Sequence, residues 1–287
     1  MQSLPFAFYE RITACFYAKS FPACCALSGL FGVVAGRAFE RACSSSITIK
    51  DGKIAMKRFN RLHGTREKTE NVSKKFLYTV YLNVYAGNAE HSADSALLNE
   101  LSTFLGDKPL FLSIHTTNLS KEVEEFLGSL RLINQMVIKT TVTLQMEQIL
   151  KQIADKNTLN YLDVTIRQEL TPEMKDLIAN STIQDQFFGL NMQDNWKIED
   201  AVAFWEQNCD DLAGKQLWFV DHSTNYRWFG FKLCSEREES AFDRRFPFVK
   251  NVWSTTADVF VLRNESEQAM YLIVDETHEL ANLVLFD

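Results

Sequence analysis

Glycine and proline are scarce in this 287-residue chain, at 11 and 5. That scarcity excludes collagen-like, low-complexity and linker-dominated sequence. The six cysteines (Cys15, Cys24, Cys25, Cys43, Cys209, Cys234) include no C-x-x-C pair. A chain of this length needs no disulfide framework to hold a core, so reduced, mostly buried thiols are expected. The longest uncharged run, Ser20 to Gly36, is 17 residues and is interrupted by Pro22, Ser28, Gly29 and Gly32. It is short for a membrane span, and no basic stretch precedes it as in a signal peptide. Four N-x-S/T sequons, at Asn71, Asn118, Asn180 and Asn264, are then coincidental. Positive charge is in deficit, with a net −7. A global electrostatic grip on nucleic acid is not expected, although a local patch remains open.

What is present is globular: 46% hydrophobic, 12% aromatic and 23% charged residues, enough for two domains or one large one. Residues 1–45 are apolar and dense in Phe and Ala. Spacing at Phe8, Ile12 and Phe16, then at Leu27, Leu30, Phe31 and Val34, predicts two or three short helices. Residues 50–75 hold nine basic residues against three acids, a local +6 that leaves −13 for the rest. With only Phe59 interleaved among the charges, 46–75 reads as a solvated basic connector; a nuclear-localisation or nucleic-acid patch is the alternative.

Residues 76–222 carry a repeat. Columns recur every 26 residues: Leu110, Met136, Leu162 and Phe188; then Leu112, Ile138, Val164 and Leu190; then Ile114, Thr140, Ile166 and Met192. Spacing of two within each unit predicts strands with those side chains on one face. The alternate positions are polar: Ser113, His115, Lys139, Thr141, Asp163, Thr165, Arg167, Asn191 and Gln193. Between the strands, Val123–Leu130, Met146–Ile153, Met174–Ile178 and Ile198–Trp205 show helical spacing, and Thr171-Pro172-Glu173 is a helix start. Flanking strands are expected at Phe76–Tyr85 and Gln216–Asp221. The reading is an α/β chain whose repeats form an irregular right-handed βα solenoid of leucine-rich-repeat type, with Leu159, Leu162 and Val164 matching that repeat's core. An ordinary doubly wound α/β domain is the alternative. Residues 223–287 alternate in short stretches and predict a β-rich cap, with a hairpin turn at Asn264–Gln268.

Catalytic signatures are missing. There is no G-x-S-x-G, no G-x-x-x-x-G-K-[ST] and no G-x-G-x-x-G. His278-Glu279 begins like a zinc-binding H-E-x-x-H but ends in Asn282 among strand-like residues. Asp221, His222 and Ser223 are neighbours in a strand, where successive side chains face opposite ways. His115 and Asp163 share the polar sheet face and are expected to make ordinary hydrogen bonds. The expectation is no enzyme, no cofactor and no metal.

The N-terminus carries a resemblance. Leu4-Pro5, then Ile12, Phe16, Phe21, Leu27 and Phe31 with Ala35, resemble the F-box, which opens with Leu-Pro and places apolar residues at these spacings. Leu27-Ser28-Gly29-Leu30-Phe31 falls where the family has its terminal valine–cysteine–basic–x–Trp signature. Ala7 stands at the usual acidic position, Gly29 at a basic one and Phe31 at the Trp. With the connector and the irregular repeats, the chain is similar to F-box proteins of the nematode-type expansions. That resemblance implies a substrate-recognition adaptor. Leu4, Pro5, Phe8, Ile12, Phe16, Leu27 and Phe31 would dock a Skp1-type adaptor, and the polar sheet face would capture a protein target for a cullin ubiquitin ligase. It also implies a cytoplasmic or nuclear protein, without nucleic-acid, membrane or small-molecule partners. Packing of the N-terminal residues on the chain's own repeats, a scaffold that has lost adaptor binding, and a hydrolase with a site at the strand ends stay open as alternatives.

Overall fold

A computed structural model describes residues 21–50, 53–61, 77–86, 94–106, 108–165, 170–193, 196–220, 230–245, 258–275 and 281–286. The architecture is mixed α/β, with mostly parallel strands alternating with helices. The chain divides into two compact units, Met1–Asn134 and Gln135–Asp287, so the division falls inside one strand of the expected repeat region.

The first unit opens with α1 (Phe21–Cys25) and α2 (Gly29–Arg41), followed by β1 (Cys43–Lys50) and β2 (Lys53–Arg61). β3 (Leu77–Tyr85), α3 (Ser95–Leu105), β4 (Leu110–Ile114) and α4 (Lys121–Ser129) complete it. Its strands run in the order β2-β1-β3-β4. β1 and β2 are antiparallel, while β1, β3 and β4 are parallel. Two sequence boundaries change here. The break at 45/46 lies inside β1, and the first half of the basic connector is a hairpin, with Lys50 paired to Lys53. Residues 62–75 lie outside the described residues. The hairpin escaped the sequence reading because serine and threonine on β1, and charge on β2, leave no long apolar alternation, yet Asp51-Gly52 between the paired lysines is a strong two-residue turn signal.

The boundary strand β5 (Ile133–Ile138) leads into the second unit: α5 (Leu144–Ala154), β6 (Tyr161–Val164), α6 (Pro172–Thr182), β7 (Gly189–Gln193), α7 (Ile198–Leu212) and β8 (Gln216–Val220). β5-β6-β7-β8 are neighbours in sequence order and parallel, with no reversal of strand order. Right-handed crossovers, the general rule for parallel strands, place their helices on one face when taken in one direction. Met136, Ile138, Leu162, Val164, Leu190 and Met192 are buried, and α5 and α6 pack together. In neither unit do the described strands close into a ring.

The 26-residue register holds from Met136 to Leu162, which pair directly, but Leu162 pairs with Leu190, 28 residues on. Phe188 therefore leaves its expected core column and is 38% exposed. The two added residues lie in the connection before β7; an even shift keeps the same side chains on the same face. Thr140 also leaves its column, lying past the end of β5.

The C-terminal end extends the strands beside β8 in the order β8-β12-β11-β10-β9, all antiparallel: β9 (Lys232–Leu233), β10 (Asp258–Arg263), β11 (Ala269–Asp275) and β12 (Ala281–Phe286). The β10–β11 turn lies where expected, with Asn264 Oδ1 accepting hydrogen bonds from the Ser266 and Gln268 N–H groups. One helix, α8 (Glu236–Arg245), was not expected, because its sequence is almost wholly charged and shows no apolar period. A Ser235–Glu238 contact starts it. Glu238 accepts hydrogen bonds from the Ser235 N–H at 2.9 Å and from its hydroxyl at 2.8 Å, which, with Arg263 nearby, lower its pKa. Phe242 anchors the helix on Val259, Val261, Ala269, Tyr271 and Ile273.

Candidate functional site

Strand alternation gives each unit a helix-packed face and a second face. In the first unit the second face is set out by register. One row runs Arg58, Ser46, Tyr81, Phe111; the next Met56, Thr48, Asn83, Ser113; the third Lys50 and Tyr85. Tyr81 and Tyr85 are 43% and 41% exposed. Tyr81 lies 5.0 Å from Phe111 by ring centroids, and Tyr85 stacks on His115 at 4.3 Å with the planes only 14° apart. The opposite parity of β2 behaves differently. Phe59 meets Phe104 of α3, and the Lys57 ammonium sits 3.8 Å from the centre of that ring.

Ser113 and His115 are brought together, with the Ser113 hydroxyl 2.9 Å from the imidazole Nε2. That distance suits a nucleophile and its base. The pair lies on a sheet face, and a cavity of about 300 Å³ in this unit, lined by Ser102, Thr103, Gly106, Ser129, Leu130 and Arg131, shares no residue with it.

In the second unit, Asp163 and Asn191 are direct register partners, and Trp218 pairs with Asn191 on the far side. Tyr161 stands two residues before Asp163 and pairs with Gly189. A methyl group at Gly189 would approach the Tyr161 and Trp218 rings to 2.8 and 2.9 Å, so glycine lets those rings meet across the strand. They do so edge to face at 5.8 Å, and Phe188 lies 5.9 Å from Tyr161. Burial, then the Asp163 carboxylate, push the Tyr161 hydroxyl up to about 12, against a hydrogen bond with Asn191. Burial also raises the Asp163 pKa, against the Asn191 hydrogen bond and the Lys139 ammonium. The Asp163 Oδ1 is buried and accepts no hydrogen bond. The patch is thus a neutral phenol, a poorly solvated carboxyl and an amide set among three aromatic rings.

Other expected residues are placed less favourably. Lys139 and Thr141 are exposed but lie beyond the end of β5, and the Thr165 hydroxyl donates to Ile138 O at 3.1 Å, closing the strand end. Gln193 is on β7, paired with Phe219. Arg167, like Leu4, Pro5, Phe8, Ile12 and Phe16, lies outside the described residues. So do the Asp221–Ser223 and His278–Glu279 near-motifs. Leu27 is 55% exposed in the turn after α1, and Phe31 is half-buried on α2. The aromatic residues were missed, although parity alone would have placed Phe111 with Ser113, and Tyr161 with Asp163.

No family model, no curated protein and no solved structure matches the chain. What the protein does must therefore come from its own side chains. Among the described residues no three His, Cys, Asp or Glu side chains converge as metal ligands, and no helix is long and apolar enough to cross a membrane. None of the five described cysteines is in a disulfide, and burial with Glu238 and Glu239 pushes the Cys234 thiol up to about 11, away from thiolate chemistry.

Proposed function

We propose that this chain is a non-enzymatic recognition adaptor. Its F-box-like N-terminus docks a Skp1-type adaptor, and its second unit, as part of an irregular βα solenoid, presents a protein target to a cullin ubiquitin ligase. The observation that carries target capture is the partly buried patch on β6–β8, where Tyr161, Asp163, Asn191 and Trp218 are held in register, with Trp218 also packed against the Phe242 cluster. Aromatic rings around a partly desolvated polar centre are the usual make-up of a protein-binding hot spot. Support for adaptor docking comes from α1–α2. Leu30 and Val33 are exposed one turn apart on α2, and Leu27 is exposed in the turn before it, apolar surface for a helical partner to cover.

Co-purification of the intact chain with Skp1 tests the reading. The wild-type chain is expected to bind, and Leu27→Glu with Leu30→Glu is expected to abolish binding without lowering thermal stability, because both side chains are exposed. A folded wild-type chain that captures no Skp1 overturns the adaptor role.

A further inference from the structure

The net charge of −7 argues against a global electrostatic grip on nucleic acid, but not against a local one. The units divide that charge unevenly. The first carries 16 basic and 12 acidic residues, net +4; the second carries 14 and 25, net −11. Within the first unit, β1–β4 contain Lys50, Lys53, Lys57, Arg58 and Arg61 and no Asp or Glu. A single aromatic, Phe59, lies within the basic sequence run, and it is turned towards α3. The fold supplies others. β3 and β4 set Tyr81, Phe111, Tyr85 and His115 beside the basic hairpin, on the face opposite Phe59.

We propose that this open face of β1–β4 binds single-stranded nucleic acid. Each aromatic pair has a basic residue in its own cross-strand row. Arg58 stands two strands from Tyr81, and Lys50 is the direct register partner of Tyr85, with Lys53 opposite Lys50. The platforms at Tyr81 and Tyr85 are four residues apart on one strand, roughly 13 Å. Partly exposed rings next to cations that no carboxylate on these strands neutralises are what a splayed strand requires: bases stack on the rings while phosphates meet the Lys and Arg side chains. Asn83 and Ser113, in the row between the platforms, supply hydrogen-bonding groups for base edges. A duplex hides its base faces and leaves the tyrosines nothing to stack on. An acidic peptide satisfies the cations but not the rings. Charge complementarity excludes the second unit as the site. The inference goes beyond the adaptor reading and does not depend on it.

Fluorescence anisotropy of the full chain with labelled oligouridylate and oligothymidylate of about twelve nucleotides tests it, with duplex DNA of the same length and polyglutamate as competitors. The expected result is binding that neither competitor displaces at equal charge. Tyr81→Ala and Tyr85→Ala should each weaken it about 5- to 160-fold, the range for loss of one stacked base. Tyr81→Phe should retain affinity, and Arg58→Gln should lower the log–log salt slope by about 0.7. Circular dichroism melts confirm that each variant folds. Absent binding of both oligonucleotides, equal competition by duplex or polyglutamate, or folded tyrosine variants with unchanged affinity overturns the proposal.

Discussion

Asp163 shows how one carboxyl shapes the second unit. Its Oδ1 accepts no hydrogen bond, and burial raises its pKa more than Asn191 and Lys139 lower it. The folded chain therefore holds this proton more tightly than the unfolded chain does. The stabilisation linked to it is complete below the ordinary carboxylate range and is lost as pH rises through the folded value. Burial therefore makes the ionised form of this side chain less favourable in the folded chain than in the unfolded one. Asp163→Asn is expected to raise the urea midpoint at pH 7, with the advantage narrowing at about pH 4. Equal midpoints at pH 7 would show that the neighbours already compensate the charge. Lys215 is the contrasting case. It is buried, and its ammonium donates to Thr182 O, the last carbonyl of α6, at 2.7 Å and to Gln184 O, in the turn that follows, at 2.9 Å.

At the scale of elements, successive helices are started by side-chain caps. Asp94, Ser120, Thr143 and Thr171 each accept a hydrogen bond from a backbone N–H of the first turn. Thr171 also links two repeats, its hydroxyl donating to Glu147 Oε1 at 2.8 Å while Met174 N–H donates to it at 3.1 Å. Thr171→Ala should cost about 1 kcal/mol in urea unfolding. In a double-mutant cycle, Glu147→Ala should cost less in that background than alone; strict additivity would mean that the inter-repeat contact contributes no coupling. Thr171-Pro172 was legible because cap, N1 proline and acid are adjacent in sequence. The α8 start, Ser235-x-x-Glu238, was equally local but had no apolar stripe behind it, so periodicity passed over it. β1–β2 failed for the same reason: serine and threonine on β1, and charge on β2, left no long apolar alternation. The Phe188 column failed because a constant period cannot register two added residues in a connection.

For the whole molecule, the exposed α1–α2 residues and the open face of β1–β4 share no residue, so adaptor docking and oligonucleotide binding are expected to be separable. Tyr81→Ala is expected to leave Skp1 capture unchanged, and Leu27→Glu with Leu30→Glu to leave oligonucleotide affinity unchanged. A pull-down and an anisotropy titration on the same preparations check both. Loss of both activities in either variant would show that one surface serves both ligands.

The amino-acid order by itself determined the elements of the repeat region. Period-2 apolar columns and 3.6-residue spacing are local properties, and burying them leaves a strand or helix little choice of face. It also determined the absence of the common nucleotide-binding and hydrolase motifs. Only the tertiary structure decided which alternate residues meet. Arg58 and Tyr81 are 23 positions apart, and Asn191 and Trp218 are 27 apart; strand register, a long-range property, sets them in common rows. The scarcity of glycine acquires a specific meaning at Gly189, where the missing side chain is what allows Tyr161 and Trp218 to touch.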